Sequence, residues 1–358
     1  MIEQLAPLLQ QQFSTYPELQ PTDLLKLLFQ RNFGCGHLVP NENDVLARLK
    51  QEWAAVTPDD TQPLTEPLGR GFARLHLAAA KAQGISPQLI ARLFYLSAQA
   101  PTEDTTTMDA ELTLAVRLCE AGSLPLSAQQ LRAELKIWND QGRAPFSHSA
   151  AYHAAYHPAY RVVRAAYAAV LPLLVQIDNI ASKSRAVVAI DGRCGAGKTT
   201  LAALLAPVFD AQQLHMDDFF LPPALRSEAR LAAPGGNLHY ERFAEEVLPG
   251  LQQARTFTYR QFSCRMMDYS GSSTIDGSQN IIVEGSYAMR PEFRVAYNLA
   301  IFCDVGPAMQ KQRILERNGP EWYRDFETRW IPMEERYFDA MQVREACDVV
   351  LDMETVAL

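Results

Sequence analysis

The hydrophobic pattern changes character near the middle of the 358-residue chain. Through the first half, apolar residues recur every three or four positions in "TDLLKLLFQRNF", "NDVLARLKQEW", "GFARLHLAAAKAQG", "SPQLIARLFYLSAQA", "MDAELTLAVRLCEAG" and "SAQQLRAELKIWNDQG". That period puts one apolar face on a helix. Thr22 stands where an N-cap would, and Pro58, Pro101, Gly122, Pro125 and Gly142 punctuate the segments. Period-two runs of Val, Ile and Thr are missing here. The pattern therefore predicts an all-α domain over residues 1–180, with no fixed-period repeat.

Over residues 181–358 short apolar runs alternate with helical ones. "SRAVVAI", "AQQLHM", "RTFTYR", "QNIIVEG", "NLAIFCDV" and "CDVVLDM" read as strands. "GKTTLAALLAPVF", "HYERFAEEVLPGLQ", "GPAMQKQRILERN" and the long stretch "EWYRDFETRWIPMEERYFDAM" read as helices. Such alternation predicts an α/β domain with a doubly wound parallel sheet. The polar segment from Asp178 to Ser184 is the expected boundary.

Composition narrows the function classes. Hydrophobic residues make up 48% and charged residues 21%, so a globular chain of about two domains is expected. A net charge of −8 argues against a broad nucleic-acid surface, which needs clustered Lys and Arg. The N-terminal segment lacks the basic start and apolar core of a signal peptide, and no apolar run is long enough to span a bilayer. Six cysteines are scattered without a CxxC pair, as expected of free thiols in a reducing cytoplasm.

The chemistry is concentrated after the first strand. Gly192-Arg193-Cys194-Gly195-Ala196-Gly197-Lys198-Thr199 spells GxxxxGK[ST] between an apolar strand and a helix. Glycines let successive backbone N–H groups turn inward around an anion, and the helix start adds its positive end. Gly192, Gly195, Ala196, Gly197, Lys198, Thr199 and Thr200 are thus the expected phosphate-binding set. Lys198 would reach the outer phosphates of ATP, and Thr199 would ligate Mg²⁺. Asp217 and Asp218 follow the second strand, where ligands of such sheets sit. A carboxylate there can take a proton from an attacking hydroxyl. Asp217, nearer the strand, is preferred, and Asp218 stays open. Glu284 ends the strand "NIIVEG" and is the expected second Mg²⁺ residue.

In order, "DGRCGAGKTTLA", "HMDDFFLP", "PGGNLHYERF", "IIVEGSYA" and a late Arg-rich helix resemble the uridine kinase and phosphoribulokinase group of P-loop kinases, which also includes a pantothenate kinase. The resemblance covers about residues 185–355. It implies that Asp217, or Asp218, is the base that activates a substrate hydroxyl, and that Glu284 belongs to the Mg²⁺ site. It also implies an arginine-bearing lid, with Arg313 and Arg317 as candidates and Arg324 as a third. Arg313 and Arg317 lie four apart and share a helix face, where pairing with Glu316 or Glu321 is the competing reading. The Tyr-Asp pair with which uridine kinases hold the nucleoside falls near Phe262-Ser263, where the Asp is missing. That departure puts uridine itself in doubt. Arg226, Arg230, Asn237, His239, Tyr240 and Arg242 flank the expected acceptor pocket, each with surface solvation as its plainer role.

In the first half, "RNFGCGHLVPNE" carries Gly34, Gly36 and His37, read as a helix stop or a capped ligand site. His148, His153 and His157 accompany Tyr152, Tyr156 and Tyr160. The tyrosines read as a packed stripe, ahead of a metal site on His153 and His157. "LLFQRNFGCGHL" and "HPAYRVV" resemble segments fused ahead of uridine-kinase-like domains in bacterial proteins of unassigned role. The expectation is an ATP- and Mg²⁺-dependent small-molecule kinase, with a nucleoside as first acceptor. A sugar phosphate or pantothenate-like acceptor and a nucleotide-dependent switch are the alternatives. No nucleic-acid or membrane partner is expected, the location expected is cytoplasmic, and a homo-oligomer stays open.

Overall fold

The helix-period segments of the first half form helices in a computed structural model that describes residues 5–35, 39, 41–99 and 105–356. They span Leu5–Thr15, Pro21–Phe33, Glu42–Ala55, Pro87–Ala98, Thr105–Glu120 and Ala128–Asp140, with Ala150–Tyr156 as a shorter one. The second begins at Pro21 rather than after Thr22, through a capping box between Gln20 and Asp23. Gly34 ends it with a positive φ, while Gly36 and His37 lie outside the described residues. Leu5, Leu9, Leu24 and Leu28 are fully buried in one cluster with Met108 and Leu112, each contributing about 2 kcal/mol.

This half is not all-α. Strands β1 (Thr65–Gly69), β2 (Phe72–His76) and β3 (Tyr160–Arg164) form an antiparallel sheet in that order. All five positions of β2 are buried, so "FARLH" shows no alternation and merges with the helical "LAAAKA" behind it. Its partner β3 is distant in sequence, with Phe72 opposite Arg164 and His76 opposite Tyr160. The helix before β3 stops at Tyr156. His157 adopts φ 43° ahead of Pro158, so His153 and His157 do not share a helix face. Of the expected stripe, Tyr152 and Tyr156 pack on each other and on Tyr16, with ring centroids 4.8–5.5 Å apart, whereas Tyr160 lies on β3 beside His76 and His148.

The chain divides into two compact units, Met1–Ala168 and Ala169–Leu358. The helix Leu171–Ala181 belongs with the second, because Leu171, Leu173, Leu174 and Ile177 are buried there. The division therefore falls before the polar segment at Asp178 rather than within it. Strands β4 (Val187–Gly192), β5 (Gln212–His215), β8 (Ile281–Glu284), β9 (Leu299–Asp304) and β10 (Val349–Asp352) make one parallel sheet in the order β10-β9-β4-β8-β5. This is the expected doubly wound α/β sheet. Strands β6 (Phe257–Ser263) and β7 (Asp268–Ile275) pair antiparallel outside it. "RTFTYR" is thus a strand, but in a hairpin whose second strand is mostly polar and exposed. "HYERFAEEVLPGLQ" forms two helices, Tyr240–Glu246 and Leu248–Gln253, because Pro249 starts a new one. Pro307–Asp325 is kinked at Gly319, with φ 80°, ahead of Pro320. Among the described residues, no helix is long and apolar enough to cross a membrane.

Candidate active site

The centre of the sheet aims one loop at the site. Val187–Ile190 is buried on both faces, as a central parallel strand must be, and β4 ends at Asp191-Gly192. Gly192 has φ 133°, and a Cβ there would lie 2.1 Å from the carbonyl oxygen of Cys303 on β9. Gly197 has φ 88° and starts the helix Lys198–Leu205. A Cβ would clash at Gly192 and strain the left-handed backbone at Gly197, so glycine lets the loop curl at both. The Lys198 ammonium donates to the carbonyls of Gly192 (2.7 Å) and Arg193 (3.0 Å), so its charge sits inside the loop it closes.

Buried acids hold the loop from behind. Asp191 accepts the N–H of Gly192 at 2.7 Å, the N–H of Met289 at 2.9 Å and the hydroxyl of Tyr337 at 2.8 Å. Burial nevertheless pushes its carboxyl up to about 6, against the opposing pull of Lys198. Glu334 accepts the N–H of Cys194 at 2.9 Å and the hydroxyl of Ser286 at 2.6 Å. Arg193 points away to Asp304 at 2.9 Å and to Glu335. The Asp191 and Glu334 contacts were not among the sequence expectations. Asp191 abuts the motif and could have been noticed, whereas Glu334 reaches the loop only through the fold.

At the ends of β4 and β8 the expected metal pair meets. Glu284 lies opposite Ile190 and His215 in the sheet register. The Thr199 hydroxyl donates to Glu284 Oε2 at 3.0 Å. His215 Nδ1 bonds Glu284 Oε1 at 2.6 Å, and this bond raises the His215 pKa, so the imidazole is the donor. Among the described residues no cluster of three His, Cys, Asp or Glu could cage a metal. A hydroxyl and a carboxylate on adjacent elements suit Mg²⁺, which takes few protein ligands and completes its shell with water and phosphate.

The two aspartates part company. Both lie on the 3₁₀ turn Met216–Phe219, directly after β5. Asp218 Oδ2 accepts from the Tyr259 hydroxyl and from Gln261 Nε2, each at 3.2 Å. The Asp217 carboxylate accepts no hydrogen bond among the described residues. It is exposed, yet surrounding protein, and then the charge of Glu284, push its pKa up, with Lys198 opposing. Exposure and close protein together describe an open cleft.

The flanking residues are mostly occupied. Arg242 is fully buried, its guanidinium 4.2 Å from the centroid of Phe219 and bonded to the carbonyls of Asp218 and Arg260. Arg230 pairs with Glu241 and lies 3.9 Å from the Tyr240 centroid. Arg226 caps the Leu221 carbonyl at 2.7 Å. Arg230 and Arg242 are therefore structural rather than solvated or poised for an anion. Among the described residues, Asn237 Oδ1 and His239 Nδ1 are buried without a hydrogen-bond partner.

Arg313 and Arg317 line a cavity of about 330 Å³ with Gly195, Gly197, Thr200 and Met353. Arg313 donates to the Met353 carbonyl at 2.7 Å, and Arg317 to the Asn318 side chain at 2.7 Å. Among the described residues neither forms an ion pair, with Glu316, Glu321 or any other acid. Arg324 lies beyond the Gly319 kink, exposed.

No family model and no curated protein sequence matches the chain. Solved structures do. A protein described as a possible uridine kinase from Bacillus stearothermophilus is 20% identical, with a TM-score of 0.38, over 51% of this chain and 100% of that one. A provisionally assigned fructose transport system kinase from a Silicibacter species is 19% identical, with a TM-score of 0.42, over 50% and 98%. A shikimate kinase from Acinetobacter baumannii is 16% identical, with a TM-score of 0.26, over 47% and 83%. At these identities and scores, the likeness says nothing of this chain's acceptor.

Proposed function

We propose that this chain is an ATP- and Mg²⁺-dependent kinase acting on a hydroxyl of a small molecule. The observation that carries the reading is the Asp217 carboxylate. Among the described residues it has no hydrogen-bond partner, it opens to solvent at the end of β5, and it lies within the electrostatic reach of Glu284 and Lys198. A carboxylate with a raised pKa beside a phosphate loop is suited to accept a proton from an attacking alcohol.

ATP would lay its phosphates along Gly195–Thr200, with Lys198 turning from the loop carbonyls toward the transferred group. The acceptor hydroxyl gives its proton to Asp217 as its oxygen attacks the γ-phosphorus in line, and ADP leaves. Thr199 and Glu284 would hold Mg²⁺, which neutralises charge on the phosphates. Arg313 and Arg317 would face the nucleotide, a reading supported by their position in the lining of the cavity beside the loop. Asp218 acts on the acceptor side indirectly, by fixing Tyr259 and Gln261.

A nucleoside is the first acceptor class to try, and a sugar phosphate or pantothenate-like alcohol the next. The test is ADP release from Mg-ATP across such a panel, with Asp217→Asn and Lys198→Ala alongside. Acceptor-dependent release that both changes abolish is the expected result. Slow release that no acceptor stimulates, and that survives Asp217→Asn, would sink the base assignment and leave a nucleotide-dependent switch.

A further inference from the structure

The first unit contains a cavity of about 470 Å³ that phosphoryl transfer does not use. That volume is in the range of small-molecule sites. One wall is a buried polar chain. His148 bonds Asp23 at 2.7 Å through Nδ1 and Tyr160 at 2.5 Å through Nε2. Gln30 donates to the Tyr160 hydroxyl at 3.0 Å and accepts from Arg74 at 3.0 Å, and Arg74 in turn reaches Glu66. Burial lowers the His148 pKa, so its neutral ring donates from Nδ1 and accepts at Nε2. Burial alone would raise Glu66, but its bond from His76 and the charge of Arg74 bring it down to about 2. An apolar wall would serve stability at least as well as this one. The chain holds Tyr160 at a fixed place on the cavity surface instead.

The charges facing the cavity do not cancel. Arg161 is tied to Glu52 at 2.6 Å, while Asp44, hydrogen-bonded only by the neutral Asn41, keeps its negative charge, so Lys26 and Arg48 leave one net positive charge on the cavity. Lys26 donates to one backbone carbonyl, that of Phe146, at 2.5 Å, which leaves ammonium protons for another partner. Arg48 also lines the cavity and forms no ion pair among the described residues. Val45, Phe94, Pro158 and Val162 add apolar surface to the same cavity.

We propose that this cavity binds a small organic anion, with a phosphate or carboxylate head on Lys26 and Arg48 and a short apolar body against Val45 and Phe94. The two head chemistries share charge and hydrogen-bonding geometry, and competition separates them. Nothing in the proposal depends on the kinase reading.

The test uses the full chain and pyridoxal phosphate, a phosphate-bearing aldehyde that condenses with an unprotonated lysine amine. Borohydride then fixes the imine for peptide mapping. Burial, and then the charge of Arg74, lower the Lys26 pKa, which favours this reaction. Lys26 should be modified ahead of the exposed Lys50 and Lys136. Inorganic phosphate or propionate should protect it, and which of them protects names the head. Mg-ADP should protect Lys198 and leave Lys26 labelling unchanged. Arg48→Ala should raise the protecting anion concentration roughly tenfold, the loss of one charge-assisted contact. Labelling of Lys26 no faster than Lys50, or labelling that neither anion slows, would overturn the proposal in the unaltered protein, whatever the variant does.

Discussion

At the residue scale, the loop and its acids make separable demands. Asp217→Asn should lower acceptor-dependent turnover by about 10²–10⁴ while nucleotide binding persists, the range for losing a general base. Asp218→Asn should cost less, because its carboxylate orients Tyr259 and Gln261. Rapid-quench turnover with equilibrium ADP binding separates the two variants. Asp191 predicts a pH effect. Its folded pKa of about 6 lies above the usual carboxyl value, so the folded protein holds the extra proton between about 4 and 6. Its contribution to stability is therefore greatest below that window and falls as pH rises through it. Denaturant unfolding across pH should show that slope in the wild type and not in Asp191→Asn. Asp217 and Asp218 are adjacent letters with equal claims in the sequence. Only the hairpin β6-β7, by supplying Tyr259 and Gln261, tells them apart.

At the element scale, close approaches between elements set the constraints. Gly192→Ala would drive a methyl against the β9 backbone. It should destabilise the second unit by about 2–4 kcal/mol, as read by urea unfolding. Arg317 lines the loop cavity, bonded to its neighbour Asn318 and 5.9 Å from the Phe326 ring centroid, so Arg317→Ala should reduce kcat with little change in melting temperature. Arg313→Ala should lose stability as well, since it also releases the Met353 carbonyl. The parallel strands were legible because "AVVAI", "IIVE" and "LAIFCD" are apolar runs bounded by turn residues and helices. β2 was not, because a fully buried strand that runs straight into a helix has no period of its own. β7 was not, because "DYSGSSTI" is polar on most of its surface and is held by pairing with β6 rather than by burial. The break at Gly319-Pro320 was written in the sequence, and it separates Arg324 from the two arginines that line the cavity.

At the scale of the whole molecule, two units with two cores should not melt as one two-state system. Mg-ADP should protect amides of Gly192–Leu205 and neighbouring strands in hydrogen exchange, and Lys198→Ala should abolish that gain. Local spacing alone determined the phosphate loop, because its N–H donors come from consecutive residues and a contiguous motif can encode them. It also determined the alternation of strands and helices and the acids at strand ends, since each depends on near neighbours. Tertiary structure alone decided that Glu334 grips the loop, that Asp218 rather than Asp217 bonds Tyr259 and Gln261, and that Arg230 and Arg242 are engaged by structural contacts. It likewise brought Lys26, Arg48 and Phe94 around one cavity and paired β2 with β3. These contacts join residues far apart in the chain, chosen by packing and charge across the fold, where no local period or motif can record them.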